Sequence, residues 1–283
     1  MKLKKIVQPG DPERIASGFE FTEGPLWYDD SLIFSDIPAD KIYRWSKSGD
    51  VSTFLEPSGN SNGLALDSLG RIVMCQHGPR TVSRIERNSS QTLLADKYKG
   101  KLLNSPNDLV IHSNGDIYFT DPPYGIQPDQ IEQPHNGVYR ISNDGSIEMV
   151  INNFGRPNGL AFNADESILY IADSQYRHVR ALELDENSLP FNETIIADMD
   201  HPQPGSPDGM KVDSEGNIYV AGATGVWVFT KEGERLGVIV TPERPSNMAW
   251  GDEDLMSMYI TARTSVYRIR VFIPGLPDIR KPV

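Results

Sequence analysis

Hydrophobic and polar residues alternate along this chain in short runs and do not recur at helical spacing. Runs such as Leu32-Ile-Phe-Ser-Asp36, Gly115-Asp-Ile-Tyr-Phe-Thr-Asp121 and Asn217-Ile-Tyr-Val-Ala221 are rich in β-branched and aromatic residues and are bounded by Gly, Asn and Asp. That is the pattern of strands closed by turns. No 12-residue window carries a clean i, i+3, i+4, i+7 apolar face.

The strands belong to a unit that repeats. Pro106-Asn107-Asp108-Leu-Val-Ile leads to Tyr118-Phe-Thr-Asp121, and Pro157-Asn158-Gly159-Leu-Ala-Phe leads to Leu169-Tyr-Ile-Ala-Asp173. Ser206-Pro-Asp208-Gly-Met leads to Ile218-Tyr-Val-Ala221, and Asn62-Gly63-Leu-Ala-Leu leads to Ile72-Val-Met-Cys75. Degenerate copies stand at Glu23-Gly24-Pro25-Leu-Trp27 and Asn247-Met-Ala-Trp250. The key position falls at 23, 62, 107, 158, 208 and 247, six copies spaced 39 to 51 residues apart. A period of that size with several strands per unit predicts an all-β, six-bladed β-propeller with four antiparallel strands per blade. The first blade continues through Lys41-Ile-Tyr-Arg-Trp45 and Val51-Ser-Thr-Phe54.

The last copy supplies three strands, ending near Val271. The N-terminal segment around Arg14-Ile-Ala-Ser-Gly18 is therefore expected to add the fourth, closing the last blade and hiding two sheet edges. Repetition throughout makes residues 1–283 one domain. The tail from Pro274 to Pro282 reads as surface coil.

In this topology the six key residues begin the innermost strands, around the axis. The loops between second and third strands, and those between blades, surround them on one face. The longest such loop, Pro122 to Asn136, is expected to lie over the opening as a lid.

Composition narrows the partners. A net charge of −12 disfavours binding to a phosphate backbone, so no nucleic-acid partner is expected. No 18-residue apolar stretch exists, so no membrane partner is expected either. The single cysteine, Cys75, and the absence of a signal-peptide pattern fit a cytoplasmic protein. Oligomeric state is not encoded in any of these patterns.

The chemistry is expected at the axis. Taken singly, Asn62, Asn158 or Asp208 is an ordinary turn residue before Gly. Their shared register points Glu23, Asn158 and Asp208 at one axial point, and Glu is not a turn-favoured residue. Two carboxylates close together repel unless a cation lies between them. Two carboxylates, an amide oxygen and waters make a hard-cation site, with no His or Cys at any key position. Asn107 stands in the same ring as a fourth ligand or a substrate contact, whereas Asn62 and Asn247 are read as turn residues. His77 follows a second strand and faces the axial side, where it would donate to a substrate oxygen or simply pack in its loop. Tyr124 and His135 lie in the lid as substrate-contact candidates. Asp36, Asp121 and Asp173 each end a second strand, as turn caps or as supports for the cation ligands. Trp27, Trp45 and Trp227 are read as packing between blades.

The segments Glu23-Gly-Pro-Leu-Trp, Ser105-Pro-Asn107-Asp, Arg156-Pro-Asn158-Gly-Leu-Ala and Ser206-Pro-Asp208-Gly resemble the gluconolactonase, senescence-marker-protein and luciferin-regenerating-enzyme family, from about Glu20 to Val271. Cys75-Gln-His77-Gly-Pro-Arg80 and Asp121-Pro-Pro-Tyr124-Gly resemble its bacterial gluconolactonase-like branch. The resemblance implies a six-bladed propeller with one divalent cation on its axis and lactone-hydrolase activity. It implies Glu23, Asn158 and Asp208 as metal ligands, Asn107 as the substrate-contacting asparagine, and Asp208 also as general base. The animal branch carries an arginine two residues before the matched asparagine, where this chain has Ser105, so its sugar contacts are not carried over.

The resulting expectation is a calcium-dependent lactonase acting on a small-molecule lactone, with magnesium, manganese or zinc as the other cations. The cation would polarise the carbonyl, and Asp208 would assist water attack. The competing readings are a metal-dependent esterase or phosphotriesterase, and a non-catalytic binding propeller in which the metal only ties blades together.

Overall fold

A computed structural model describes residues 2–279. Six four-stranded antiparallel sheets follow one another along the chain and stand around a common axis as blades. The first comprises Thr22–Tyr28, Ser31–Asp36, Lys41–Trp45 and Val51–Leu55. The second opens at Ser61–Leu66, the third at Leu109–Ile111, the fourth at Pro157–Phe162, the fifth at Met210–Val212 and the sixth at Asn247–Gly251. These opening strands are the innermost, and each touches the next around the ring, the last meeting the first. Helix among the described residues is confined to two 3₁₀ turns, Leu3–Lys5 and Pro128–Gln130.

The ring closes as the three-stranded last copy requires. Glu13–Ser17 pairs antiparallel with Ser265–Arg270 and completes the sixth sheet. Loss of that pairing would expose two edges to solvent and to other strands.

The hydrophobic core lies between blades. Ile33 and Ile42 of the first blade pack on Leu64 and Met74 of the second. Cys75 and Val82 of the second pack on Phe119 and Tyr139 of the third. Trp27 stacks on Tyr259 with ring centroids 5.1 Å apart, and Trp45 is buried in the same seam between the first and sixth blades. Trp227 is buried between the fourth and fifth. Each such side chain contributes about 1.5–3 kcal/mol on burial. The tryptophans are thus packing residues. Cys75 is fully buried, and burial pushes its thiol up, away from reactivity.

Two features aim the inner strands. In the first, second and fourth blades the pairing register shifts at the key residue, between Glu23 and Leu26, Ser61 and Leu64, and Pro157 and Leu160. Such a bulge re-aims the side chain beside it. A second device is a carboxylate clamp. Asp36 accepts the N–H groups of Glu20 and Phe21, Asp121 those of Asn104 and Ser105, and Asp173 those of Gly155 and Arg156. In every case the donors precede Glu23, Asn107 or Asn158 by three and two residues. These aspartates cap the loops that deliver the axial residues.

The C-terminal tail is not plain surface coil. Gly275 forms a β-bridge with Asp213, and a Cβ on it would lie 1.7 Å from Trp250 Cγ. Leu276 packs on the core of the fourth and fifth blades and donates its N–H to Val212 O. With Leu64, Leu109, Phe162, Lys211 and Trp250 it encloses a cavity of about 40 Å³. The tail therefore covers the inner-strand ends remote from the key residues, because apolar surface left there by the closed ring is better buried than wet. The last residues of the segment read as coil, 280 to 282, lie outside the described residues.

Candidate active site

Glu23, Asn62, Asn107, Asn158 and Asn247 are all buried, while Asp208 keeps partial exposure. The Asn158 amide donates to Ser174 Oγ at 3.1 Å and also bonds the Asp208 carboxylate. Ser174 Oγ donates in turn to Pro207 O at 2.6 Å, so the fourth and fifth blades are tied at this point. The Tyr124 hydroxyl also bonds Asn158. Glu23 Oε2 accepts the Gly24 N–H at 2.9 Å and the Asn247 amide at 3.2 Å. Its Oε1 is open among the described residues.

Charge is concentrated here. The Glu23 carboxyl is pushed well above its usual range, first by burial and then by Asp208 and Asp108. Burial and Asp108 lift Asp208 to about 7, against the pull of Arg244 and the Asn158 bond. Burial raises Asp108, and Lys211 opposes that. Three carboxylates share a small buried volume with one lysine and one nearby arginine, an arrangement that favours a bound cation.

Asp108 was not legible as an axial residue. Its side chain occupies the place that glycine takes after the key residue in the first, second, fourth and fifth blades. The signal was the Asn107-Asp108 pair standing where Asn-Gly stands elsewhere. Gly63, Gly159 and Gly209 have a different purpose from the turn reading. A Cβ on Gly63 would lie 2.4 Å from Asp108 Oδ1, and its φ is not in the left-handed region. Glycine is required there because Asp108 and the Asn107 carbonyl oxygen of the next blade approach too closely for any side chain. The reading of Asn62 and Asn247 as turn residues is likewise corrected. Asn62 Nδ2 contacts His77 Nε2 at 3.3 Å, and Asn247 bonds two carboxylates.

The segment from Pro122 to Asn136 carries Tyr124 and Gly125 to His77, Ser105 and Asn158. The Gly125 N–H donates to Ser105 Oγ at 3.0 Å, and a Cβ on Gly125 would lie 2.8 Å from His77 Cβ. Tyr124 directs its hydroxyl to Ser174 and Asn158, with the Arg156 guanidinium 5.7 Å from its ring centre. Burial lowers His77 to about 4, so its imidazole is neutral at neutral pH. Asn62 donates to Nε2, which puts the ring proton on Nδ1. Asn107 is fixed through its backbone, accepting Gly63 N–H at 2.9 Å, and its side chain has no hydrogen bond among the described residues. His135 lies elsewhere, beside Tyr98, Lys101 and Met149 in a separate hollow of about 400 Å³.

The donors fit a hard divalent cation: two carboxylates and an amide oxygen on three blades. Among the described residues no group of three or more His, Cys, Asp and Glu side chains is placed to hold a metal ion. The axial set therefore depends on the amide oxygen of Asn158 as its third donor.

Residues 21–264 match the SMP-30/Gluconolactonase/LRE-like region. The chain belongs to that family. A gluconolactonase of Zymomonas mobilis is 35% identical over 95% of this chain and 84% of its own length. The solved gluconolactonase of Xanthomonas campestris superposes with a TM-score of 0.87 at 32% identity, covering 95% of this chain and 92% of that one. A regucalcin of Sus scrofa is 26% identical over 84% of this chain and 82% of its own length. The family assignment covers all the axial residues named above, because each lies within the matched span.

Proposed function

We propose that this chain is a divalent-cation-dependent lactonase that opens a gluconolactone-type ring to the hydroxy acid. The observation that carries this reading is the convergence of Glu23, Asn158 and Asp208 from three blades. Asp208 bonds Asn158 and lies close enough to Glu23 to raise its carboxyl, which supports the three acting together at one strongly acidic point. Lactone hydrolysis is the activity carried by the family's gluconolactonases, at 35% identity in the case of Zymomonas mobilis.

Glu23, Asn158 and Asp208 would hold the cation, with calcium first because every donor is a hard oxygen. A cation bound there supplies electrophilic polarisation of the lactone carbonyl and stabilises the charge that develops on its oxygen. The rest falls to the protein. Asp208 takes the proton from the attacking water, the partial exposure of this residue leaving its carboxylate within reach of solvent. The Asn107 amide has hydrogen-bonding capacity to spare and orients the lactone. Neutral His77 and Tyr124 contact the substrate from the lid side and exclude bulk water. A single buried cysteine fits a cytoplasmic, reducing setting. No helix among the described residues is long and apolar enough to cross a membrane.

The test is a panel of aldonolactones, aryl lactones, simple esters and phosphotriesters, followed by proton release. Each is run as purified, after chelation, and after add-back of calcium, magnesium, manganese or zinc. Turnover of aldonolactones that is lost on chelation and restored by calcium is expected. Undiminished turnover in the chelated protein, or hydrolysis confined to the phosphotriesters, would overturn the reading.

A further inference from the structure

One amide side chain organises the charge at the axis. Asn247 opens the inner strand of the sixth blade and is buried. Its Nδ2 donates to Glu23 Oε2 and to Asp108 Oδ2, each at 3.2 Å, and its Oδ1 accepts the Met248 N–H at 2.9 Å. Carboxylates from the first and third blades thus share the two protons of a single amide. Its partners fix its orientation. Turned over, it would set a carbonyl oxygen against two carboxylates and an amino group against a backbone N–H. It is also held from the side. Gly209, the neighbour of Asp208, comes so close that a Cβ there would lie 2.0 Å from Asn247 Cγ.

This network decides which oxygen of Glu23 is committed. Oε2 is occupied by Gly24 and Asn247, which leaves Oε1 as the carboxylate oxygen not committed to that pair. The same amide draws Asp108 toward the sixth blade.

The structure assigns Asn247 as the positioning residue of the axial site: by bridging Glu23 and Asp108 it locks Glu23 in the rotation that presents Oε1 to a divalent cation. This rests on the cation reading of Glu23 proposed above. It adds a residue that touches neither cation nor lactone and acts through Glu23. A polar side chain held between two acids is the kind of supporting contact whose loss costs a site about 10–100-fold in metal affinity.

The experiment is a calorimetric calcium titration of chelator-stripped full-length protein, with thermal melts of the same samples in chelator. Wild type is compared with Asn247→Leu, which keeps the volume but has no donor, with Asn247→Ser, which keeps a shorter donor, and with Glu23→Gln. The expected result is a calcium Kd about 10–100-fold weaker for Asn247→Leu, with Asn247→Ser between it and wild type. A purely structural role would lower the melting temperature in chelator and leave Kd unchanged. A folded Asn247→Leu protein with Kd within about twofold of wild type overturns the assignment. If the Leu variant does not fold, Asn247→Ser decides by the same criterion. If neither folds, Asn247 is a structural residue and the assignment is wrong. Failure of the cation reading looks different: Glu23→Gln then binds calcium as tightly as wild type, or wild type binds none, and the assignment falls with it.

Discussion

Gly159 stands so close to Asp208 that a Cβ on it would meet the Asp208 carbonyl oxygen at 2.4 Å and Gly209 Cα at 2.6 Å. The fourth inner strand is therefore packed directly against the backbone that carries the general-base candidate. The contact is backbone against backbone, so no flexible side chain can yield. Gly159→Ala is expected to cost about 1–3 kcal/mol by overpacking and to displace Asp208 from Asn158. The melting temperature should fall and calcium binding should weaken together. An Ala variant with unchanged melting temperature and unchanged calcium Kd would show that the close approach is not needed.

The buried acids make stability depend on pH in a direction opposite to the usual carboxylate case. Asp208 is held at about 7, above its ordinary 3.8, and Asp121 is also lifted to about 7 by burial. Glu23 is raised as well. Between the ordinary and the raised values the folded cation-free protein keeps protons that the unfolded chain has lost. Stability must then fall as pH rises from about 4 through 7. Melting in chelator is expected to be on the order of 5 °C lower at pH 8 than at pH 5.5, with calcium raising it at pH 8 far more than at pH 5.5, since protons compete for the same oxygens. Asp208→Asn should shrink the difference. A chelated wild type that is more stable at pH 8 would contradict this account.

Asp208→Asn also tests the chemistry. The amide keeps one oxygen for a cation and loses the base. Retention of part of the calcium affinity is expected, with turnover reduced about 10²–10⁴-fold on the best lactone of the panel. If turnover stayed near wild type, another group would have to accept the proton. Asp121 and Asp173 are poor substitutes, because their oxygens are already taken by backbone N–H groups at 2.7–3.1 Å. Asp108, raised by burial and beside the same site, would be the next to change.

The blade repeat, the ring closure by Glu13–Ser17 and the meeting of Glu23, Asn158 and Asp208 were legible in the sequence because register repeats: one position per unit must fall on one ring. The aspartate clamps were legible as caps for the same reason. What was not legible depends on contacts between units. Gly63 and Gly159 look like turn glycines until the neighbouring strand is seen against them. Asp108 and Asn247 break the repeat, and only their meeting across the axis gives them a role. The tail's packing on Trp250 needs the closed ring to exist first.

The segment proposed as a lid is pinned at its C-terminal end, and the stretch around Tyr124 and Gly125 is the part that would set substrate choice. Gln133 Nε2 donates to the carbonyls of Tyr98, Lys101 and Leu102 at 3.2, 2.9 and 3.1 Å, and Asn136 Nδ2 donates to Gly155 O at 2.6 Å. The stretch around Tyr124 and Gly125 is held by the Gly125 N–H to Ser105 Oγ bond and by the Tyr124 hydroxyl against Ser174 and Asn158, and it lies against His77. Ser105 is fully buried, so Ser105→Ala leaves the Gly125 N–H without its partner, at a cost of roughly 1–3 kcal/mol that the stretch can avoid by moving outward. Tyr124 would move with it and leave Ser174 and Asn158. Neither Ser105 nor Gly125 is among the cation ligands, so calcium Kd is expected to stay within about twofold of wild type. The ratio of kcat/KM between small and bulky lactones should shift toward the bulky ones by about 3–10-fold, a scale typical of relaxed pocket contacts. Tyr124→Ala should shift it the same way with little loss of stability, because the ring is substantially exposed. A lactone profile unchanged in both variants, with full calcium binding, would remove the lid from the specificity argument and leave Asn107 and His77 as the residues that choose the substrate.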